Sequence, residues 1–175
     1  MKEYRYVSKP RRTKEDRRFV TGQGSFVGDI KCHGMKHVAL VMSPFPSAEI
    51  KSIDPSEALA LDGVHYVLTG TELENATNSL MSGLDLPNYH RYPLASKVTR
   101  YAGEWVAAVV ADSRYIAEDA AELVYVDYEA LDFVVDPEEA IKPGAPIVHP
   151  EIGGNVFFQR KFEWGPVDDD FSTAD

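Results

Sequence analysis

Trp105-Val-Ala-Ala-Val-Val-Ala-Asp-Ser-Arg-Tyr-Ile-Ala-Glu-Asp-Ala-Ala-Glu-Leu-Val-Tyr-Val-Asp-Tyr-Glu129 decides the fold. Its first part, Trp105–Ala111, is apolar at consecutive positions, so both faces of a strand are apolar and a place inside a sheet is expected. Asp112 or Ser113 supplies a helix cap. Ile116, Ala120, Leu123 and Val124 then recur at i, i+4, i+7 and i+8, one face of a helix, with Glu118, Asp119 and Glu122 off it. Val126–Leu131 returns as a strand. Strand and helix interleave, so helices layered on sheet are expected.

Working back from this stretch, Ala102-Gly103-Glu104 is a tight connection, and Gly103 and Glu104 are candidates for a structural turn. Lys97–Tyr101 reads as a strand. Residues 75–96 lose all periodicity and carry Tyr89, His90, Arg91 and Tyr92. A loop of this length inside a compact domain is usually functional or docked on something. Before it, Val64–Leu68 reads as a strand, followed by a short helix from Thr69 or Gly70 over Glu72–Glu74. Asp54-Pro-Ser-Glu57 is a helix start: Asp54 caps, Pro55 suits the first position and Glu57 closes a capping box, with Gly63 as the stop. Ala48–Ile53 alternates apolar and polar, a strand with one wet face. His37–Met42 is an apolar strand that Ser43-Pro-Phe-Pro46 ends. Ser25–Ile30 reads as a short strand or an extended entry segment.

Beyond Glu129, Asp136-Pro-Glu-Glu139 repeats the capped helix start and Pro143-Gly-Ala-Pro146 breaks the chain. From Glu151 onward aromatics are scattered among polar residues. The expected class is α+β: a mixed sheet with two main helices packed on it.

Hydrophobic residues make up 44% of the 175, enough for a core, and the net charge is −10. So acidic a chain repels phosphate backbones, which argues against a nucleic-acid partner. The charge is uneven, because residues 1–18 hold eight Lys and Arg against three Asp and Glu. This basic arm is either solvated and mobile or tied to an acidic partner surface. Cys32 is the single cysteine, which excludes an internal disulfide and a four-thiolate iron–sulfur or zinc site built by this chain. No run of 18 apolar residues is present, so no membrane span is expected, and the first twenty residues lack the apolar core of a signal peptide. The expected location is the cytoplasm.

Candidate chemistry is sparse. Gly22-Gln-Gly24 with Gly28 lacks the spacing and the strand–helix frame of a dinucleotide fingerprint and reads as a turn. His33 and His37 fall at i, i+4 with Gly34 between them, a polar turn rather than a metal pair. His65 reads as a hydrogen-bonded sheet residue, His149 as a loop residue, and His90 as the histidine most open to a role. Asp168–Asp170 lacks spaced ligands and a turn glycine, so it reads as solvated. Ser43 and Ser96 have no His/Asp framework. Glu104, opening a buried strand, is either a base with a raised pKa or a carboxylate paired with nearby backbone or an arginine. No catalytic, cofactor-binding or metal-ligating residue is expected in the chain.

Several segments together resemble one family. Arg12–Ile30 resembles the opening of bacterial carbon-monoxide-dehydrogenase-type large subunits. Ile50–Asp54, Leu61–Val64 and Val67–Gly70 are similar to its next block. Tyr101–Asp112, Ala117–Val124 and Val126–Glu129 are the most specific part, followed by Asp136–Ala140, Val148–Pro150 and Gly154-Asn155. The chain is identified as a member of the aldehyde oxidase/xanthine dehydrogenase family of molybdenum hydroxylases. The resemblance implies the α/β-hammerhead fold, with residues 1–20 as the basic arm, 21–150 as the hammerhead, and 151–175 as the start of a connection to molybdenum-binding domains. It also implies that the complete enzyme uses molybdopterin with molybdenum, [2Fe–2S] clusters and FAD, all bound outside this chain.

The function expected from the resemblance is a non-catalytic hammerhead domain or split subunit. It would pack on molybdenum-binding domains of the same large subunit or a separate chain. Further expected partners are FAD-binding and iron–sulfur subunits, in a dimer of the complete assembly. The substrate would be an aldehyde, an N-heterocycle, carbon monoxide or a related small molecule. Tyr89, His90, Arg91 and Tyr92 are the candidates for substrate-funnel or interface contact. The alternative is a stand-alone hammerhead module without enzymatic activity.

Overall fold

The computed structural model describes residues 6, 9–80, 89–162, 164, 165, 167, 171, 172 and 174. The chain divides into two units, Met1–Met35 and Lys36–Asp175.

In the first unit, Thr13 N donates to Asp16 Oδ2 at 2.9 Å ahead of helix α1 (Asp16–Val20). The basic arm therefore carries one helical turn, with Arg18 paired to Glu15 at 2.6 Å. Phe19 and Phe26 stack with centroids 5.6 Å apart. The strand considered for Ser25–Ile30 does not form; Val27–Asp29 is a single 3-10 turn. The Asp29 carboxylate accepts from Phe26 N at 3.0 Å and so offers the backbone a local alternative to a ladder.

Among the described residues of the second unit six strands alternate between two antiparallel sheets. β1 (His37–Met42), β5 (Trp105–Ala111) and β3 (Val64–Thr69) form one, in that spatial order. β4 (Val98–Thr99), β2 (Ala48–Asp54) and β6 (Tyr125–Ala130) form the other. The α+β class stands, but one mixed sheet is replaced by two antiparallel ones. Pro44 and Pro46 remove two donors directly after β1 and turn the chain out of its sheet, so β2 starts a second ladder. The junction is pinned: Ser43 N donates to Glu104 O and Gly103 N to Ser43 O, both at 2.8 Å. Ser43 Oγ lies 3.1 Å from Thr99 Oγ1, and both residues are buried. Of the strand expected over Lys97–Tyr101 only Val98–Thr99 pairs, because Arg100 N turns to the Glu104 carboxylate instead of a ladder carbonyl.

β5 is central, as its apolar run requires. Val109 sits between Ala39 and Val67 and packs with Ala58, Ala107, Ala120 and Val124. Helix α4 (Arg114–Glu122) is capped by Ser113, whose Oγ accepts from Ile116 N at 3.2 Å. It buries Ala117 and Ala120, while Ile116 is only half-buried. Alanines on the contact face let the helix lie close to the sheet, so the core is thin and made of small side chains.

Helix α2 (Ser56–Leu59) is shorter than its pattern suggests. Asp54 Oδ1 accepts from Ser56 N at 3.0 Å and Ser56 Oγ at 2.5 Å, but Pro55 is the cap residue and Glu57 closes no box with it. Gly63, with φ of +87°, makes the turn into β3 that a side chain would strain. Helix α3 (Gly70–Ala76) has a true capping box, with Glu72 N donating to Thr69 Oγ1 and Glu72 Oε2 accepting from Thr69 N. Helix α5 (Pro137–Ala140) is capped by Asp136, which accepts from Glu138 N at 2.8 Å.

At one end of the first sheet a bulge at His65 brings its Nε2 within 2.8 Å of Asp112 Oδ1, an oxygen that Lys36 Nζ also bonds. Lys36 and then His65 lower the Asp112 pKa from 3.8 to about 2. A folded value below the unfolded one gives stability that is present above 3.8 and lost as pH falls toward about 2. Asp112→Asn is therefore expected to lower Tm near neutral pH and to match the parent at the acid end of that window. A Tm difference that stays constant across acid titration would show that the pair does not act through charge. The groups are half-exposed, so the effect is small.

Candidate functional site

A cavity of about 1000 Å³ opens beside the junction of the two sheets. Tyr89, His90, Arg91 and Tyr92 line one side, and Arg100 and Glu104 another. Its supports come from both ends of the long loop. Thr69, Gly70 and α3 lead into the loop, and Ala95 N donates to Trp105 O at 2.7 Å where it rejoins the sheet. Gly70 touches this return directly: a Cβ there would lie 2.0 Å from Ala95 O. Leu80 N donates to Arg91 O at 2.7 Å, so the described parts of the loop meet at these two residues. Residues 81–88, which belong to the same candidate loop, lie outside the described residues.

Tyr89 is half-buried and belongs to a three-ring cluster. Its centroid is 5.3 Å from that of His149 and 5.1 Å from that of Phe157, and His149 and Phe157 are 4.8 Å apart, all edge-on. Edge-to-face contacts of this kind hold rings at fixed tilt. His90 is exposed, with Nδ1 3.5 Å from Ser79 Oγ, while Arg91 is exposed and Tyr92 half-buried. The four residues therefore share one cavity wall but differ in role: Tyr89 is locked, and His90 and Arg91 are open to solvent.

Gly103 has φ of +88° and makes the turn into β5. Glu104 Oε2 accepts from Arg100 N, which spends one carboxylate oxygen on the backbone. Arg100 donates from Nη1 to Val98 O at 3.3 Å and from Nη2 to Glu151 Oε1 at 3.4 Å. Arg100 Nε is buried without a hydrogen-bond partner among the described residues. Glu151 Oε1 also lies 2.9 Å from His149 Nδ1. Burial opposes ionisation of Glu151, but His149, its own backbone N–H and Arg100 outweigh it, and the carboxyl stays below the usual range. Arg100, His149, Glu151 and Phe157 carried no role in the sequence reading. Phe157 and His149 lie some sixty residues from Tyr89, and only the fold closes that gap.

Chemically, this is an aromatic wall with Tyr89 held at fixed tilt, the Arg91 side chain exposed and Arg100 paired with Glu151. It can stack on a flat or apolar surface and hydrogen-bond a polar edge. Among the described residues no group of three or more His, Cys, Asp and Glu is gathered where it could hold a metal ion. No helix among them is long and apolar enough to cross a membrane.

The sequence model described as "Aldehyde oxidase and xanthine dehydrogenase, a/b hammerhead domain" matches residues 21–132. The chain belongs to this family. The hammerhead is 41% identical over 163 residues to the carbon monoxide dehydrogenase large chain of Hydrogenophaga pseudoflava, covering 89% of this chain and 20% of that one. It is 37% identical over 164 residues to the nicotine 6-hydroxylase large subunit of Paenarthrobacter nicotinovorans, covering 92% and 20%. Among solved structures it is similar to quinoline 2-oxidoreductase from Pseudomonas putida 86, with TM-score 0.76 and 40% identity over 83% of this chain and 19% of that one. The chain thus spans about a fifth of the length of the curated relatives it matches. The hammerhead of a molybdenum hydroxylase is accordingly the α+β arrangement of two small sheets and α4 described above.

Proposed function

We propose that this chain supplies shape and contact surface to a molybdopterin-dependent hydroxylase or dehydrogenase and leaves the redox chemistry to other domains. The observation that carries the reading is the family match to a hammerhead domain that makes up about a fifth of its relatives. The domain packs on molybdenum-binding domains, in the same large subunit or a separate chain, and residues from Glu151 onward begin the connection to them. FAD-binding and iron–sulfur subunits complete the enzyme, in a dimer of the whole assembly. The cytoplasm is its proposed location.

The wall formed by Tyr89, His90, Arg91 and Tyr92 lines the substrate funnel or the interface at its mouth. Gly103 and Glu104 hold the structural turn into β5 beside it. Molybdopterin, when bound in the complete enzyme, supplies the oxidation. Within this chain the single thiol of Cys32 does not fit the ligand set of an iron–sulfur cluster, so no step is routed through these residues. The substrate class proposed is an aldehyde, an N-heterocycle, carbon monoxide or a related small molecule.

Affinity capture of the tagged chain from its native host tests this reading. The expected result is a co-purifying partner that carries molybdopterin and iron–sulfur absorbance. Capture of the chain alone, with no such partner, points to a stand-alone module and removes the proposal.

A further inference from the structure

One face of the β1–β5–β3 sheet carries α4. The opposite face is also apolar and is built from the residues that alternate with the core set. Val38 pairs with Val110, which pairs with Tyr66; Leu40 pairs with Ala108, which pairs with Leu68. Past the bulge at Val106 in β5, Met42 pairs with Trp105 and extends the row to the strand end. Val38 is 59% exposed, Met42 54%, Tyr66 49% and Trp105 43%, and none of the eight residues is charged. β1 is also an edge strand, with β5 as its only ladder partner among the described residues. Open edges and open apolar faces of this kind are normally covered in a working protein.

We infer that this second face of the sheet, from Val38 to Trp105, is a permanent docking surface for an uncharged, apolar surface of the molybdenum-carrying part of the enzyme. The inference rests on the proposed function above and names the surface that reading requires. Two observations select the occupant. Trp105 lines the cavity as well as ending the apolar row, so a body seated against the cavity mouth continues onto the sheet face. The relatives' chains extend about five times the length matched here, so most of each lies outside the hammerhead and is available to cover it. A second copy of this chain is disfavoured, because each copy carries a net charge of −10.

Oxidative footprinting of the unmutated protein tests this through Met42, whose thioether reports solvent access. Hydrogen peroxide is applied to the chain alone and to the material captured with its molybdenum-containing partner, and the sulfoxide at Met42 is read by mass spectrometry. The expected result is oxidation in the isolated chain and at least a ten-fold slower rate in the captured complex. As a second readout, Val38→Cys in a Cys32→Ser background is labelled with an uncharged maleimide, with Tyr115→Cys, at a position of α4 that is 79% exposed, as the control that stays reactive. Equal Met42 and Val38→Cys rates in the complex and the isolated chain overturn the inference while the proposed function stands. Protection that rises with the concentration of the isolated chain assigns the face to a second copy and also overturns it. Failure to capture any molybdenum-containing partner removes the underlying reading and this inference with it.

Discussion

Gly70→Ala is expected to destabilise the domain by about 3 kcal/mol, at the upper end of what overpacking costs. The reason is steric and local. A Cβ at position 70 would meet Ala95 O at 2.0 Å, Ala95 C at 2.4 Å and Ser96 Cα at 2.9 Å. All three are backbone atoms, so no rotamer change can relieve the clash. Ala95 is itself held, since its N–H donates to Trp105 O and it is only 8% exposed. Either the start of α3 or the return of the long loop must move, and the second would strip a hydrogen bond from the end of β5. At roughly 2–4 °C per kcal/mol for a chain of this size, Tm falls by roughly 6–12 °C. Thr71→Ala, one residue on and exposed, is the control and should stay within about 0.5 kcal/mol of the parent. A Gly70→Ala protein that melts with the parent would show that the close approach is not a constraint.

Val109→Ala is the second large effect, about 2 kcal/mol. Val106, Val109 and Thr99 are the largest fully buried side chains, and the rest of the cluster around Val109 is alanine and valine. A core of small residues has few long side chains that can swing into a vacated space. The cavity left by two lost methyl groups therefore persists, and its cost adds to the lost transfer energy. Urea denaturation should show a lower midpoint with an unchanged slope. Val110→Ala, on the other face of the same strand, is expected to cost less in the isolated chain because that position is only half-buried. Equal losses at the two positions would contradict the assignment of the core to one face.

The strands β1, β2, β3, β5 and β6 were legible because burial forces period-two or fully apolar runs, and proline or glycine closes the first three of them. The Ser113 cap was legible, as one of two candidates with Asp112, because capping is local chemistry, whereas the capping box expected at Asp54–Glu57 is absent and one forms at Thr69–Glu72 instead. What the local pattern does not carry is the division into two sheets, which depends on pairings between residues far apart in the chain, such as Ala48 with Thr99 and with Ala130. The shortened β4 has a local cause, since Arg100 N takes a carboxylate four residues on in place of a ladder carbonyl. On the helix, Ala120 and Val124 of the expected apolar face are buried, while Ile116 is half-buried, Leu123 is exposed and Ala117 joins the contact instead. At the candidate site the loop was legible as a break in periodicity around Tyr89–Tyr92. The partners His149, Phe157 and Glu151 were not, since nothing in their own neighbourhood marks them.

The bond from Leu80 N to Arg91 O gives the long loop a neck. Chain enters and leaves at one point, so the length and composition of what lies between can drift without disturbing strand register or core. Gly70, Ala95 and Trp105 keep the base of the loop in place. Grafting the segment between Leu80 and Arg91 from a relative is therefore a swap of one part that leaves the scaffold as it was.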